Sequence, residues 1–312
     1  MNADLFWALK GAGSNFGIVA SWRLKTFEAP KVLTWFGVAL NWTRETSLEG
    51  LEQLEKYASK TMPAELNFRV SDYSRGNPGI EGLYYGTIEE MKKAVDPLLK
   101  KAAPLAVYTA AEQVDWLGAA VHYSFSDIGI DWIKPSPVRP PSPLLRFPAS
   151  LTPLQQEIFF AKSLTLKGLS GPSAKAFVDY WWNNATQITD RGWWFQLDMH
   201  GGKESTIAAL DNDATSYAHR DKLYIIQFYD RIPEGTYPAD GTKFLNGWVD
   251  AVTAPLKEKD WGMYINYADT TLSREKAQKL YYGQNLRKLQ KLKAKFDPEE
   301  RFYYPQSIQP VA

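Results

Sequence analysis

Gly192-Trp-Trp-Phe-Gln-Leu-Asp-Met-His-Gly201 decides how this chain is read. Side chains of a strand alternate between its two faces. One face here carries Trp193, Phe195, Leu197 and Met199, and the other carries Trp194, Gln196, Asp198 and His200. The first set belongs against a core. The second suits neither a core, which avoids Gln, Asp and His together, nor plain solvent, which avoids a large indole. An indole beside an amide and a carboxylate is the lining of a polyol site, in which a sugar stacks on the ring and bonds to the polar groups. A half-exposed strand at a domain seam is the alternative.

Working outward, 222–231 reads as a second strand, interrupted by Gln227, whose amide must pair with backbone or face a ligand if it is buried. A strand over 159–166 and a helix over 172–186 precede the deciding segment. A helix over 241–257, a short strand over 262–267 and one long helix over 274–296 follow it, the last stopped by Asp297-Pro298. In the amino-terminal part a helical turn at 4–10 leads into a glycine loop at 11–17. Strands at 18–27 and 32–41, a helix at 47–60, strands at 67–73 and 82–85 and a helix at 87–101 come next. The last of these opens on a capping box, Thr87 with Glu90. This order predicts an α+β fold, an antiparallel β-sheet flanked by helices. Seven of the twenty residues in 134–153 are proline, which fixes φ and removes amide donors, so an extended insertion is expected there.

Composition excludes several classes. The 312 residues carry 36 Lys+Arg against 35 Asp+Glu, a net charge of +1, so no nucleic-acid partner is expected. No apolar run reaches the roughly 18 residues of a membrane span, and the first residues lack a signal-peptide pattern. With no cysteine there is no disulfide, thiolate metal site or cysteine nucleophile. His200 and His219 lack the company of a metal site. Aromatic residues make up 14% of the chain, enough for a core and for a site besides. Gly11, Gly13 and Gly17 are spaced one residue too wide for a dinucleotide fingerprint and stand between a helix and a strand in the wrong order. With Ser14 and Asn15 they still allow backbone amides to approach an anion; a tight turn is the simpler reading. Asn41-Trp-Thr43 and Asn184-Ala-Thr186 match the glycosylation sequon.

Four pieces near the carboxy terminus, Trp261-Gly-Met-Tyr-Ile-Asn-Tyr-Ala-Asp269, Tyr281-Tyr-Gly-Gln-Asn-Leu286, Lys293-Ala-Lys-Phe-Asp-Pro298 and Pro305-Gln-Ser-Ile308, resemble in order and spacing the signature of the berberine bridge enzyme-like flavoprotein oxidases of the vanillyl alcohol oxidase superfamily. Asp4-Leu-Phe-Trp-Ala-Leu-Lys-Gly-Ala-Gly-Ser-Asn-Phe-Gly-Ile-Val19 is similar to the end of that family's PCMH-type FAD-binding domain. Trp194-x-Gln196-x-Asp198 resembles its fungal gluco- and chito-oligosaccharide oxidase branch.

The resemblance implies three parts. Residues 1–28 end the FAD-binding domain, 29–258 form the substrate domain with 134–153 as its insertion, and 259–312 pack back on the FAD domain. It implies FAD as cofactor, held by Gly13, Ser14, Asn15, Gly17, Ile18, Val19, Tyr264, Asn266, Tyr282 and Asn285. Tyr267 becomes the base that takes the substrate hydroxyl proton, with Asp198 as its relay partner. Trp194, Gln196 and Gln227 become the sugar-binding set. The implied reaction oxidises an oligosaccharide to a lactone with oxygen as acceptor, in a secreted protein. A non-catalytic sugar-binding remnant and a small-molecule oxidase of secondary metabolism on the same fold are the alternatives. Since the family's FAD domain fills roughly the first half of a longer chain, the resemblance also implies an amino-terminal truncation and a chain inactive alone.

Overall fold

The computed structural model describes residues 2–73, 76–124 and 158–311. Its strands are β1 (Leu33–Ala39), β2 (Leu66–Asp72), β3 (Gly79–Tyr84), β4 (Val107–Val114), β5 (Ile158–Leu166), β6 (Gly192–Met199), β7 (Tyr224–Ile232) and β8 (Trp261–Gly262). They form one eight-stranded sheet in the order β4-β1-β3-β2-β6-β7-β5-β8, antiparallel throughout. The β2–β6 ladder joins two four-stranded halves and sets Arg69 opposite Asp198 and Ser71 opposite Gln196.

Helices α2 (Arg44–Lys60), α3 (Ile88–Ala102), α5 (Gly171–Asn183) and α6 (Gly241–Thr253) carry the apolar stripes that the sheet requires. Phe36, Phe68, Phe195, Leu197, Ile226 and Phe228 of the sheet are buried in one core with Leu51, Val95, Phe177 and Trp248 of those helices. The predicted capping box of α3 is formed: Thr87 Oγ1 accepts from the Glu90 amide and Glu90 Oε2 accepts from the Thr87 amide. The alternation of 192–201 holds as read, with Trp193, Phe195, Leu197 and Met199 all buried.

Three expectations are corrected, and two elements were missed. The strand expected over 18–27 has no ladder partner among the described residues and lies exposed, Ile18 at 90% and Leu24 at 78%; alternation alone does not make a strand without a neighbour to bond. The strand expected over 262–267 ends after Gly262, and Ile265–Tyr267 is a 3₁₀ turn. The single helix expected over 274–296 is two, α7 (Arg274–Tyr282) and α8 (Leu286–Phe296). They are broken by Gly283 at φ +46°, a backbone state glycine adopts freely and other residues resist. Strand β4 and the short helix α4 (Trp116–His122) went unread. The proline-rich 134–153 lies outside the described residues.

Candidate active site

One face of the sheet is covered by the four helices, and the polar face of β6 points the other way. Gln196 and Asp198 are neighbours there, and Gln196 Nε2 donates to both Asp198 oxygens at 3.0 Å. Burial raises the Asp198 carboxyl above its ordinary range, while the Gln196 bonds and the Arg69 guanidinium pull it back down. Arg69 in turn donates from Nε to Glu81 Oε2 at 2.9 Å, and Glu81 Oε1 lies 3.0 Å from His122 Nε2. His122 stacks on Trp35 with ring centroids 4.0 Å apart, so α4 is seated on the same face.

Tyr267 comes to this spot from the 3₁₀ turn after β8. Burial raises its phenol most, then the Asp198 carboxylate and Tyr264, with Arg69 opposing. Tyr267 and Asp198 are therefore within electrostatic reach across 69 positions of sequence. No hydrogen bond joins them, and the Tyr267 hydroxyl makes none among the described residues. Nearby, Asn266 Nδ2 donates to the Tyr264 hydroxyl at 2.6 Å, and the Tyr264 and Tyr267 rings meet edge-on at 5.5 Å.

The expected sugar-binding set is on the same face but differs in its chemistry. Gln196 is committed to Asp198. Gln227 of β7 stands opposite Gln196 of β6 and Ser163 of β5, and its amide makes no hydrogen bond among the described residues. Trp194 stacks on Tyr229 at 5.0 Å with planes 16° apart, and Phe159 stacks on the far side of Tyr229 at 4.8 Å. One indole face is thus covered, which corrects the picture of an open stacking platform. What remains is the other face, tilted 48° against Tyr73 at 6.1 Å, and the ring edge.

Beside this face lies a cleft of about 660 Å³, within the usual range for small-molecule sites. Gly13 and Ser14 line one side, Tyr264 and Asn266 another, and His200, Tyr217, Arg220 and Ile225 complete it. Gly11 permits the loop to close up, since a Cβ there would fall 2.3 Å from the Tyr217 amide nitrogen. His200 Nε2 lies 3.0 Å from the Tyr217 hydroxyl, and burial depresses its pKa.

Six residues expected at the cofactor do not line this cleft. Asn15 is fully buried as a clamp: Nδ2 donates to the Tyr282 hydroxyl at 3.0 Å, Oδ1 accepts from the Ile308 amide at 2.7 Å and its carbonyl accepts from Lys293 Nζ at 2.7 Å. Tyr282 is buried with it. Asn285 Nδ2 donates to the Asn212 carbonyl at 2.7 Å, tying the break between α7 and α8 to the loop before β7. Gly17, Ile18 and Val19 do not line the cleft, and Ile18 and Val19 are exposed. Missed by sequence were Arg69, which only the β2–β6 register brings to Asp198, Glu81 and His122, which follow behind Arg69 from β3 and α4, and Tyr229, whose place under Trp194 depends on the β6–β7 register. Period-2 reading of β7 puts Tyr229 on the Gln227 face and was the one signal available.

Residues 263–309 match the family model described as "Berberine and berberine like". The chain is 52% identical, over 99% of its length, to a carbohydrate oxidase of Microdochium nivale. It is 40% identical, over 100% of its length, to a glucooligosaccharide oxidase of Sarocladium strictum. It spans 59% and 60% of the lengths of these curated relatives. Among solved structures, the Microdochium nivale carbohydrate oxidase in complex with a substrate analogue matches 100% of this chain and 62% of its own with a TM-score of 0.89 at 51% identity. A glucooligosaccharide oxidase of Acremonium strictum, described with a 6-S-cysteinyl, 8α-N1-histidyl FAD, matches 100% of this chain and 62% of its own with a TM-score of 0.89 at 39% identity. No helix of the described residues is long and apolar enough to cross a membrane.

Proposed function

We propose that this chain, whose residues 263–309 match the berberine bridge enzyme-like model, serves a FAD-dependent oxidation of a carbohydrate hydroxyl, taking an oligosaccharide to its lactone with oxygen as final acceptor. The observation that carries the reading is the electrostatic coupling of Asp198 and Tyr267, from a strand and a turn far apart in sequence, near a cleft walled by the glycine loop and Tyr264. The cleft fits a flavin: it is large enough, glycine lets one wall approach closely, and Lys10 and Arg220 at its rim suit a ligand that carries negative charge. Gly13, Ser14, Tyr264 and Asn266 would hold the ring. Bound FAD would supply the hydride acceptor that no side chain can.

The chain's own part is proton handling and orientation. A free tyrosinate at pH 7 costs roughly 4 kcal/mol, and a neighbouring carboxylate adds to that. Tyr267 therefore rests protonated. Its Oη takes the substrate hydroxyl proton while passing its own toward Asp198, whose raised pKa makes it a better acceptor than an exposed carboxylate. Gln196 holds Asp198 in line, and Gln227 and the free edge of Trp194 orient the sugar. Residues 1–28 and 259–312 act as the cofactor-side unit and 29–258 as the sugar-side unit. Similarity to fungal carbohydrate oxidases supports a secreted protein.

The test is peroxide release. These 312 residues joined to a FAD-binding domain, loaded with FAD and supplied with a panel of gluco-, xylo- and chito-oligosaccharides, are expected to yield one peroxide per lactone from at least one of them. Tight flavin binding without oxidation of any sugar in the panel would reject the reading.

A further inference from the structure

The Tyr267 hydroxyl makes no hydrogen bond among the described residues, yet it sits on a turn that is held firmly at both ends, and both holds come from two consecutive residues of β5. Ser163 and Lys162 point to opposite faces of the sheet. Ser163, fully buried on the polar face, accepts through Oγ from the Tyr264 amide at 2.8 Å and donates back to the Tyr264 carbonyl at 3.3 Å. Lys162, buried toward α6, donates through Nζ to Asp269 Oδ2 at 2.5 Å and to Asn246 Oδ1 of α6 at 2.5 Å. Asp269 is fully buried and completely used: Oδ1 accepts from the amide and hydroxyl of Thr271, its amide donates to the Tyr281 hydroxyl, and its carbonyl accepts from Gln306 Nε2. The chain from Tyr264 to Asp269 thus wraps over the edge of the sheet, gripped from above and below, with Tyr267 on the span between the grips.

We propose that Ser163 and Lys162 are positioning residues that set the height of the Tyr267 phenol over Asp198, acting through Tyr264 and Asp269. The assignment of Tyr267 as the proton-accepting group rests on the function proposed above; the grip itself does not. Neither residue lines the cleft, and both are buried. A serine and a lysine inside a strand are costly to bury unless their bonds are met, and here their side-chain hydrogen bonds end on the Tyr267 turn or on its anchor in α6.

The experiment titrates Tyr267 directly in the 312-residue protein, without flavin. Tyrosines are labelled with ¹³C at Cζ, and the Tyr267 resonance is identified by its loss in Tyr267→Phe. Ser163→Ala should release the turn, carry the phenol toward water and away from Asp198, and move its titration midpoint down toward that of free tyrosine. Ser163→Thr, which keeps the hydroxyl, should restore it. Lys162→Met alone leaves Asp269 buried and uncompensated and is expected to unfold more readily, so Lys162→Met/Asp269→Asn is the usable variant, with the same downward shift. The Tyr57 resonance, on the helical side of the molecule, should not move and serves as the control. An unchanged Tyr267 midpoint in folded Ser163→Ala and in the folded double variant would overturn the proposal. If the midpoints shift as stated but Tyr267→Phe oxidises sugar normally in the FAD-loaded protein, the grip stands and the catalytic reading of Tyr267 falls.

Discussion

Gln196 Nε2 lies 3.0 Å from each carboxylate oxygen of Asp198, two positions along the same face of β6. The amide nitrogen is thus a brace for the acid. Gln196→Leu removes the bonds that lower the Asp198 pKa and leaves burial to raise it further. The acid limb of the turnover profile is expected to move to higher pH, with little change in sugar affinity. A profile that stays in place while affinity drops would return Gln196 to the sugar.

Asp198→Asn removes the proton's destination while keeping the shape of the side chain. Loss of a positioned acid–base group costs about 10²–10⁴-fold in rate. Turnover should fall on that scale and sugar binding far less. Equal losses in both would rule out a relay through Asp198.

Trp194 has one face covered by Tyr229, so its remaining contribution divides between the second face and the indole N–H. Trp194→Phe keeps a ring and deletes the donor. If the edge does the binding, this variant weakens oligosaccharide affinity by about five- to tenfold, the worth of one neutral hydrogen bond. Affinity equal to wild type would assign the role to the ring face.

Much of this was readable from residue order. Period-2 alternation found β6 and its two faces because that pattern is local, and Thr87 with Glu90 marked the start of α3 for the same reason. The strand expected over 18–27 failed because pairing is a property of the neighbour, not of the segment. The helix expected over 274–296 failed at Gly283, where the backbone turns to positive φ between the buried Tyr282 and Asn285. Asp198 and Tyr267 could be named from motifs. Arg69 and Glu81, which tune Asp198, could not, since only the β2–β6 and β2–β3 registers bring them there. Asn15 was legible as a polar residue in a glycine loop, and nothing in the loop announced that its partners would be Tyr282 and Ile308.

That clamp gives a stability prediction. Asn15→Ala leaves the Ile308 amide unpaired in the interior and frees Tyr282, at a cost of about 2 to 4 kcal/mol. Urea unfolding should shift accordingly, while oligosaccharide affinity of the folded protein stays the same. A variant as stable as wild type would contradict the clamp.

His219 supplies the pH dependence. Burial, with help from Lys222, depresses its pKa to about 4, and Nε2 lies 3.0 Å from the Tyr281 carbonyl. The unfolded chain binds a proton near 6.5 that the fold resists, so stability is full above that pH and is lost as pH falls toward about 4. The loss amounts to roughly 3 kcal/mol. His200, also depressed by burial, acts in the same sense. Unfolding free energies at pH 7.5 and pH 4.5 should differ in this direction, and His219→Gln should flatten the slope.

The most direct test of the central claim is anaerobic mixing of FAD-loaded protein with an oxidisable oligosaccharide, following the loss of the flavin's visible absorbance. Wild-type protein should bleach, and Tyr267→Phe should bleach roughly 10²–10⁴-fold more slowly at the same sugar affinity. Bleaching of Tyr267→Phe at the wild-type rate would contradict the account.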